Sequence, residues 1–262
     1  MKKILALLLA LSMVFVLGAC KDNGSDYEYI KEKGEMIIGI TIFKPMNFYD
    51  NNKLVGFETE FAEAVCAKIG VTPKFQEINW AAKETELNGK TIDCIWNGMT
   101  IDEDRLANMS ISTPYMQNKQ VLVVKAENAN LTSVDGLKIA AEGGSAGANV
   151  IENDAYFKNA QFIEVEDMAA ALMEVAAGTS DGCVIDYVTS LGSIGEGTDY
   201  DNLVVVENAK FELGNDEQYG IAFRKGSDMT AKVNEAITAL VEDGTLQKIA
   251  ENYGLGEQLI AK

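Results

Sequence analysis

The sequence predicts an α/β protein with parallel strands, and three observations carry that prediction. Short apolar runs of strand length, such as residues 36–40 and 120–125, recur along the chain. Between them lie segments with apolar residues at helical spacing, residues 57–69 being the clearest. Glycine follows two of these helical segments directly, Gly70 after the first and Gly178 after another, as helix C-termini require. Strands alternating with helices define an α/β layer architecture. A chain of 262 residues suits one large domain or two small ones.

In chain order, residues 36–40 read as a first buried strand and residues 41–49 as a loop. Asp50, Asn51, Asn52 and Lys53 have the composition of a hairpin turn. The next helix places Phe57, Phe61, Ala64, Val65 and Ile69 on one face. Residues 72–78 alternate as a second strand, and a helix runs from Trp80 through Leu87 to end near Gly89. Residues 92–96 form an apolar strand that stops at Asn97 and Gly98. Residues 120–125 make a strand able to cross to a second lobe. Residues 138–141 make another, which runs into the glycine turn 142–147 and a following helix. Residues 162–165 are a short strand, and Asp167 caps a helix that Gly178 closes. Residues 181–187 are apolar apart from their ends and place Asp186 at the strand's C-terminal end. After a strand at 203–206, Met229, Val233, Ile237 and Leu240 keep helical spacing up to a break at Asp243 and Gly244.

The N-terminus combines Lys2 and Lys3, an apolar run to Leu17, and the small residues Gly18 and Ala19 before Cys20. Such a run is a secretory signal and too short for a membrane span. Its ending resembles a bacterial lipobox, which implies cleavage before Cys20 and a diacylglycerol anchor on that sulfur. Residues 20–33 are then expected to be a lipidated tether, polar and Gly/Ser-containing at its start. Net charge is −18, or −20 without the two signal lysines. So acidic a chain disfavours nucleic acid and anionic membranes as direct partners. Histidine is absent and no Cys-x-x-Cys pair occurs, which excludes Ser-His and Cys-His catalysis and argues against zinc. No cofactor is expected. Cys66, Cys94 and Cys183 are expected as small buried hydrophobes, with a Cys66–Cys94 bridge left open.

The chemistry concentrates in residues 92–115. Asp102 offers an N-cap, Glu103 and Asp104 suit a first turn, and Arg105 follows three residues past the cap. Free helix N–H groups, the Thr100 hydroxyl and a guanidinium fork together form a seat for a carboxylate. Spacing alone equally admits a solvated ion pair between Arg105 and its acidic neighbours.

The segment GMTIDEDR followed by STPY resembles the matching stretch of the polar amino-acid-binding proteins that serve ABC importers. The likeness extends from about Gly34 to Gly254 and includes the return stretch EQYGIAF. Asp102 and Ser110-Ile111 depart from the family's usual residues without touching the expected grip. In that family Thr100 and Arg105 would hold the α-carboxylate of a free amino acid. Phe43 and Trp80 would form aromatic walls, and Ser145 with the Ala146 amide would add donors. Ala146 stands where relatives often carry a second hydroxyl. Asp186 would hold the α-ammonium, and Asn97 and Gly98 would complete the first wall. Without the resemblance, Phe43 fits ordinary core packing and Asp186 fits a helix cap. Glu84, one turn beyond Trp80, is a candidate side-chain selector, although simple exposure explains it as well. Ile40 and Thr41 stand where relatives of basic specificity often carry aspartate, which weakens arginine or lysine as ligand.

The resemblance implies a type II periplasmic-binding-protein clamshell of mixed sheets, with two hinge crossings near Val124 and Tyr219. Its expected divisions are a signal at 1–19, a tether at 20–33, lobe one at 34–123 and 220–262, and lobe two at 124–219. The expected protein is a monomeric, membrane-anchored receptor outside the cytoplasm that passes a polar amino acid to an ABC permease. Two rivals remain at this stage. One is a clamshell dehydratase of small carboxylic acids, and the other is a ligand sensor for a membrane receptor.

Overall fold

A computed structural model describes residues 24–261. The signal segment expected at residues 1–19 and Cys20 lie outside the described residues. The described residues open with helix α1 (Asp26–Lys33), where a tether was expected. Local chemistry explains the difference. The Ser25 hydroxyl accepts the Glu28 N–H at the helix start, and Gly34 ends the helix at φ 73°. Ile30 is fully buried, and Arg224 grips Asp26 through Nε and Nη2, the latter at 2.9 Å. The segment is therefore docked on the body by an apolar anchor and an ion pair.

Lobe one then forms from β1 (Glu35–Ile40), the hairpin β2 (Phe48–Asp50) and β3 (Lys53–Val55), and α2 (Phe57–Ile69). Asn51 and Asn52 take positive φ in the hairpin turn, which asparagine tolerates well. β4 (Thr72–Glu77), α3 (Lys83–Asn88), β5 (Cys94–Ile95), α4 (Glu103–Asn108) and β6 (Met109–Ile111) continue the lobe. Only two residues of the apolar run 92–96 join the ladder. Its Trp96 side chain packs edge-on against Phe61 of α2, with ring centroids 4.9 Å apart.

The chain crosses at β7 (Met116–Asn118), earlier than the expected point near Val124. The whole of β8 (Gln120–Lys125) belongs to the second sheet, where all but its last residue is buried. Lobe two continues through β9 (Lys138–Glu142), α5 (Ala146–Asn153), β10 (Gln161–Val165), α6 (Met168–Ala177), β11 (Gly182–Asp186), α7 (Tyr187–Ser193) and β12 (Leu203–Val205). Residues 131–137 between β8 and β9 are turn and coil. The chain returns through β13 (Glu217–Tyr219), which pairs antiparallel with β7 as a two-stranded ribbon. β14 (Ala222–Arg224), α8 (Met229–Glu242) and α9 (Thr245–Asn252) complete lobe one.

The two five-stranded sheets share one plan. Their orders are β4-β1-β5-β14-β6 and β10-β9-β11-β8-β12. In each, three parallel strands are followed by one that runs against its neighbours. Parallel strands put their C-terminal ends on one edge, and ligands of open α/β sheets bind outside that edge. Ile40, Glu77 and Ile95 end the parallel strands of one sheet, and Glu142, Val165 and Asp186 those of the other. Contacts across the cleft tie the two lobes together. Lys83 of lobe one donates to the Gly144 carbonyl of lobe two at 3.0 Å, and Lys44 pairs with Asp199. Cys66, Cys94 and Cys183 are buried free thiols, so the bridge left open is not formed.

Candidate functional site

Beneath the cleft on the lobe-one side lies a buried polar network. Asn97 Oδ1 accepts the Thr41 N–H at 2.9 Å and an Asn47 amide proton at 3.1 Å, and Asn97 Nδ2 donates to the Thr41 hydroxyl at 2.7 Å. Glu58 accepts from Asn47 Nδ2, the Gly98 N–H and the Tyr115 hydroxyl. Burial raises the pKa of Glu58 to about 7, and those three donors hold it back from rising further. Asn97 and Gly98 thus brace the loop that leads into Thr100. Gly98 sits at φ 53°, where a Cβ would come within 2.9 Å of the Phe43 ring.

Thr100 and Arg105 follow. Asp102 caps α4 as expected, its carboxylate accepting the Arg105 N–H at 2.7 Å. The guanidinium turns inward, leaving Arg105 only 8% exposed. It donates from Nη1 to the Thr100 carbonyl at 2.7 Å and keeps Nε 3.3 Å from Asp102. The solvated-pair alternative is thus half realised. Asp102 is paired, but the arginine is buried and has further fork donors to offer.

Asp186 comes from the opposite lobe at the end of β11 and is 2% exposed. It does not cap α7. Its carboxylate accepts instead from the Tyr219 hydroxyl at 2.8 Å, from Asn118 Nδ2 at 3.1 Å and from Gln120 Nε2. The same Asn118 and Gln120 groups donate to Glu217, as does Thr100 Oγ1 at 3.3 Å. Burial pushes the Asp186 carboxyl above its usual range, against the pull of its three donors and of Arg105. Burial and the charge on Asp186 take Glu217 to about 7. Gln120 Oε1 is buried and has no donor among the described residues.

The glycine turn after β9 brings a third wall. Ser145 caps α5, accepting the Ala148 N–H at 3.1 Å. The Ala146 and Gly147 amides lie in the first turn, where a helix has no internal acceptor for them. Gly147 is required here, because a Cβ would sit 2.8 Å from the Val184 carbonyl.

The aromatic pair is arranged differently from a simple slot. Phe43 is 2% exposed and lines a cavity of about 300 Å³ between the lobes, facing Leu172 and Tyr200. Trp80 packs with Leu87, Ile92 and Ile95 in the lobe-one core. Lys83 lies over its ring, Nζ 4.8 Å from the centroid, and donates to the Trp80 carbonyl at 3.2 Å. Glu84, the candidate selector, is only half-buried, while Lys83 beside it takes the inward place. Burial and the Arg105 charge lower the Lys83 pKa to about 8.

Lys83, Glu142 and Glu217 are cleft groups that sequence reasoning did not single out. Each had a signal. Lys83 stands three residues past Trp80, on the same helical face. Glu142 ends a parallel strand as Asp186 does. Glu217 opens the return crossing.

The fold and the cleft define a two-lobed binding protein, with charged groups converging from both lobes on the space between. Residues 36–256 match the family of bacterial extracellular solute-binding proteins, family 3, and the chain belongs to it. Among curated relatives, the L-cystine-binding protein TcyJ of Escherichia coli is 29% identical over 231 residues, covering 86% of this chain and 84% of its own length. The arginine-binding extracellular protein ArtP of Bacillus subtilis is 27% identical over 262 residues, covering 98% of this chain and all of its own. Among solved structures, an ABC uptake transporter substrate-binding protein from Streptococcus pneumoniae with bound histidine superimposes with a TM-score of 0.76. It is 30% identical and the match covers 88% of this chain and 96% of that one.

Proposed function

We propose that this chain takes up one free amino acid between its lobes and presents it, unaltered, to an ABC permease. The observation that carries this is the run of contacts that joins buried Arg105 of lobe one to buried Asp186 of lobe two: Arg105 donates to the Thr100 carbonyl, the Thr100 hydroxyl donates to Glu217, and Asn118 and Gln120 donate to both Glu217 and Asp186. Arg105, with Thr100 and the α5 amides, suits an α-carboxylate. Asp186, with the bare Gln120 Oε1, suits an α-ammonium. Because the two grips sit on different lobes, one zwitterion engages both only when the cleft is shut, and binding thereby favours the shut form. Asn118 and Gln120 lie at the crossing and Glu217 on the return strand, so the ammonium site is wired directly to the hinge ribbon.

The family's members work outside the cytoplasm, and the sequence before residue 24 supports attachment by lipid on Cys20. Replacing Cys20 by serine is expected to release the protein from the membrane fraction or leave its signal uncut. Correctly cleaved Cys20→Ser protein that stays in the membrane contradicts the anchor. The binding function is tested by calorimetry of the purified protein against the twenty amino acids with cystine and ornithine. One-to-one binding of at least one of them is expected, and binding of none overturns the reading.

A further inference from the structure

Glu142 ends β9 on the cleft floor and is 1% exposed. Neither of its carboxylate oxygens has a hydrogen-bond partner among the described residues. The Thr41 hydroxyl, which accepts from Asn97 and keeps its own proton, lies close enough across the cleft to favour the charged form but makes no hydrogen bond to Glu142 of ordinary geometry. Lys83, also across the cleft, favours the charged form of Glu142 less than Thr41 does. Its ammonium is engaged by the Trp80 and Gly144 carbonyls and by the indole face. Gly144, two residues on, accepts from Lys83 at 3.0 Å and lies against Ala81, which sets the end of β9 that carries Glu142 against lobe one.

A buried carboxylate without donors is unfavourable unless a partner arrives, and native proteins leave few such groups. The charges around the cleft indicate what that partner is. Once ionised, Glu142, Asp186 and Glu217 outnumber Arg105 and Lys83 by one, with Glu58 set aside in its own network, and burial keeps Glu142 protonated near neutral pH until a cation arrives to pair with it. A zwitterionic head, held by Arg105 and Asp186, adds no net charge. A ligand with a cationic side chain adds one, and an ammonium or guanidinium end brings the N–H donors that Glu142 lacks.

We infer that Glu142 is the side-chain selector of the cleft, and that the ligand is an amino acid whose side chain ends in a cation. Arginine, lysine and ornithine are members of that class. This inference rests on the zwitterion grip proposed above. It also reverses the expectation drawn from Ile40 and Thr41, because the acid stands on the opposite wall, at the end of β9.

The test compares arginine with citrulline, which keeps the length of arginine and replaces its guanidinium by a neutral ureido group. Calorimetry is run on the native protein and on Glu142→Gln, with thermal melts to confirm that the variant folds. The native protein is expected to bind arginine, or lysine or ornithine, at least about 30-fold more tightly than citrulline and glutamine, as for a buried charge pair left unmatched. Glu142→Gln is expected to lose most of that ratio while still binding citrulline. Native protein that prefers citrulline or glutamine overturns the selector and leaves the zwitterion grip standing. So does an unchanged ratio in the variant. Failure of every amino acid to bind overturns both. Should the variant not fold, the native ratio alone decides.

Discussion

Truncating Arg105 to alanine separates the site from the scaffold, because the two effects differ in size. The guanidinium is 8% exposed and makes one clear internal hydrogen bond, to the Thr100 carbonyl at 2.7 Å. Losing that bond costs about 1 kcal/mol of stability, a drop in melting temperature of roughly 2–4 °C for a chain of this size. The remaining fork donors have no comparable duty in the fold and are available to a carboxylate. Removing one member of a desolvated charge pair costs ~2–5 kcal/mol, or about 30- to several-thousand-fold in affinity. Arg105→Lys keeps the charge and loses the fork, so an intermediate loss is expected. Calorimetry with the tightest amino acid, alongside a thermal melt, reads both quantities. A surface pair with Asp102 would change affinity by less than about 1 kcal/mol. If Arg105→Ala binds normally, the carboxylate grip is wrongly placed.

Three further outcomes follow from the same geometry. Asp186→Asn keeps the shape that Tyr219 and Gln120 surround and removes the charge, so affinity should fall by ~2–5 kcal/mol while the unliganded protein gains stability. Calorimetry and melts check the two signs, and unchanged affinity would sink the ammonium assignment. Lys83→Met removes the ammonium that joins the lobes through Gly144, and a weaker hold of about 1.5–3 kcal/mol on the shut form is expected. Small-angle scattering should report a larger radius for the unliganded variant, and an identical radius argues against a latch. Stability should also fall with rising pH. Glu142 is raised to about 8, and Glu58 and Glu217 to about 7, so the folded chain keeps protons that the unfolded chain has released. Their contribution is complete below pH ~4.5 and is lost as pH climbs through 7 to 8, on the order of 5 kcal/mol for Glu142 alone. Melts across pH 5–8.5 test the sign, and a stability that rises over that interval contradicts it.

The α/β class, the bounds of α2 and the caps at Asp102 and Asp167 were legible because each depends on local pattern: helical periodicity, a capping side chain, a closing glycine. The first segment was not. Ser25 and Glu28 form a helix start, but only the distant Arg224 and a pocket for Ile30 make that helix stay. The crossing point was misplaced for a similar reason. An apolar run such as β8 looks the same whether it pairs within lobe two or spans the hinge, and only its pairing with β11 and β12 decides. A strand end and a cap offset made the positions of Asp186 and Arg105 legible, and both side chains turn out to be buried. Lys83 was not separable from Glu84, since both stand a turn beyond Trp80 and burial chooses between them. Glu142 lay in view, at a strand end before the glycine turn, and its lack of donors is visible only when Thr41, Asn97 and Lys83 are placed around it.

The most direct test of the account is recovery of the ligand itself. The purified protein, freed of any carried-over ligand, is incubated with an equimolar mixture of the twenty amino acids, cystine and ornithine, separated from free solute, denatured and analysed by mass spectrometry. The account predicts one amino acid per chain, chemically unaltered, with cationic side chains enriched. Recovery of a converted product, or of no amino acid at all, would contradict reversible capture between the lobes.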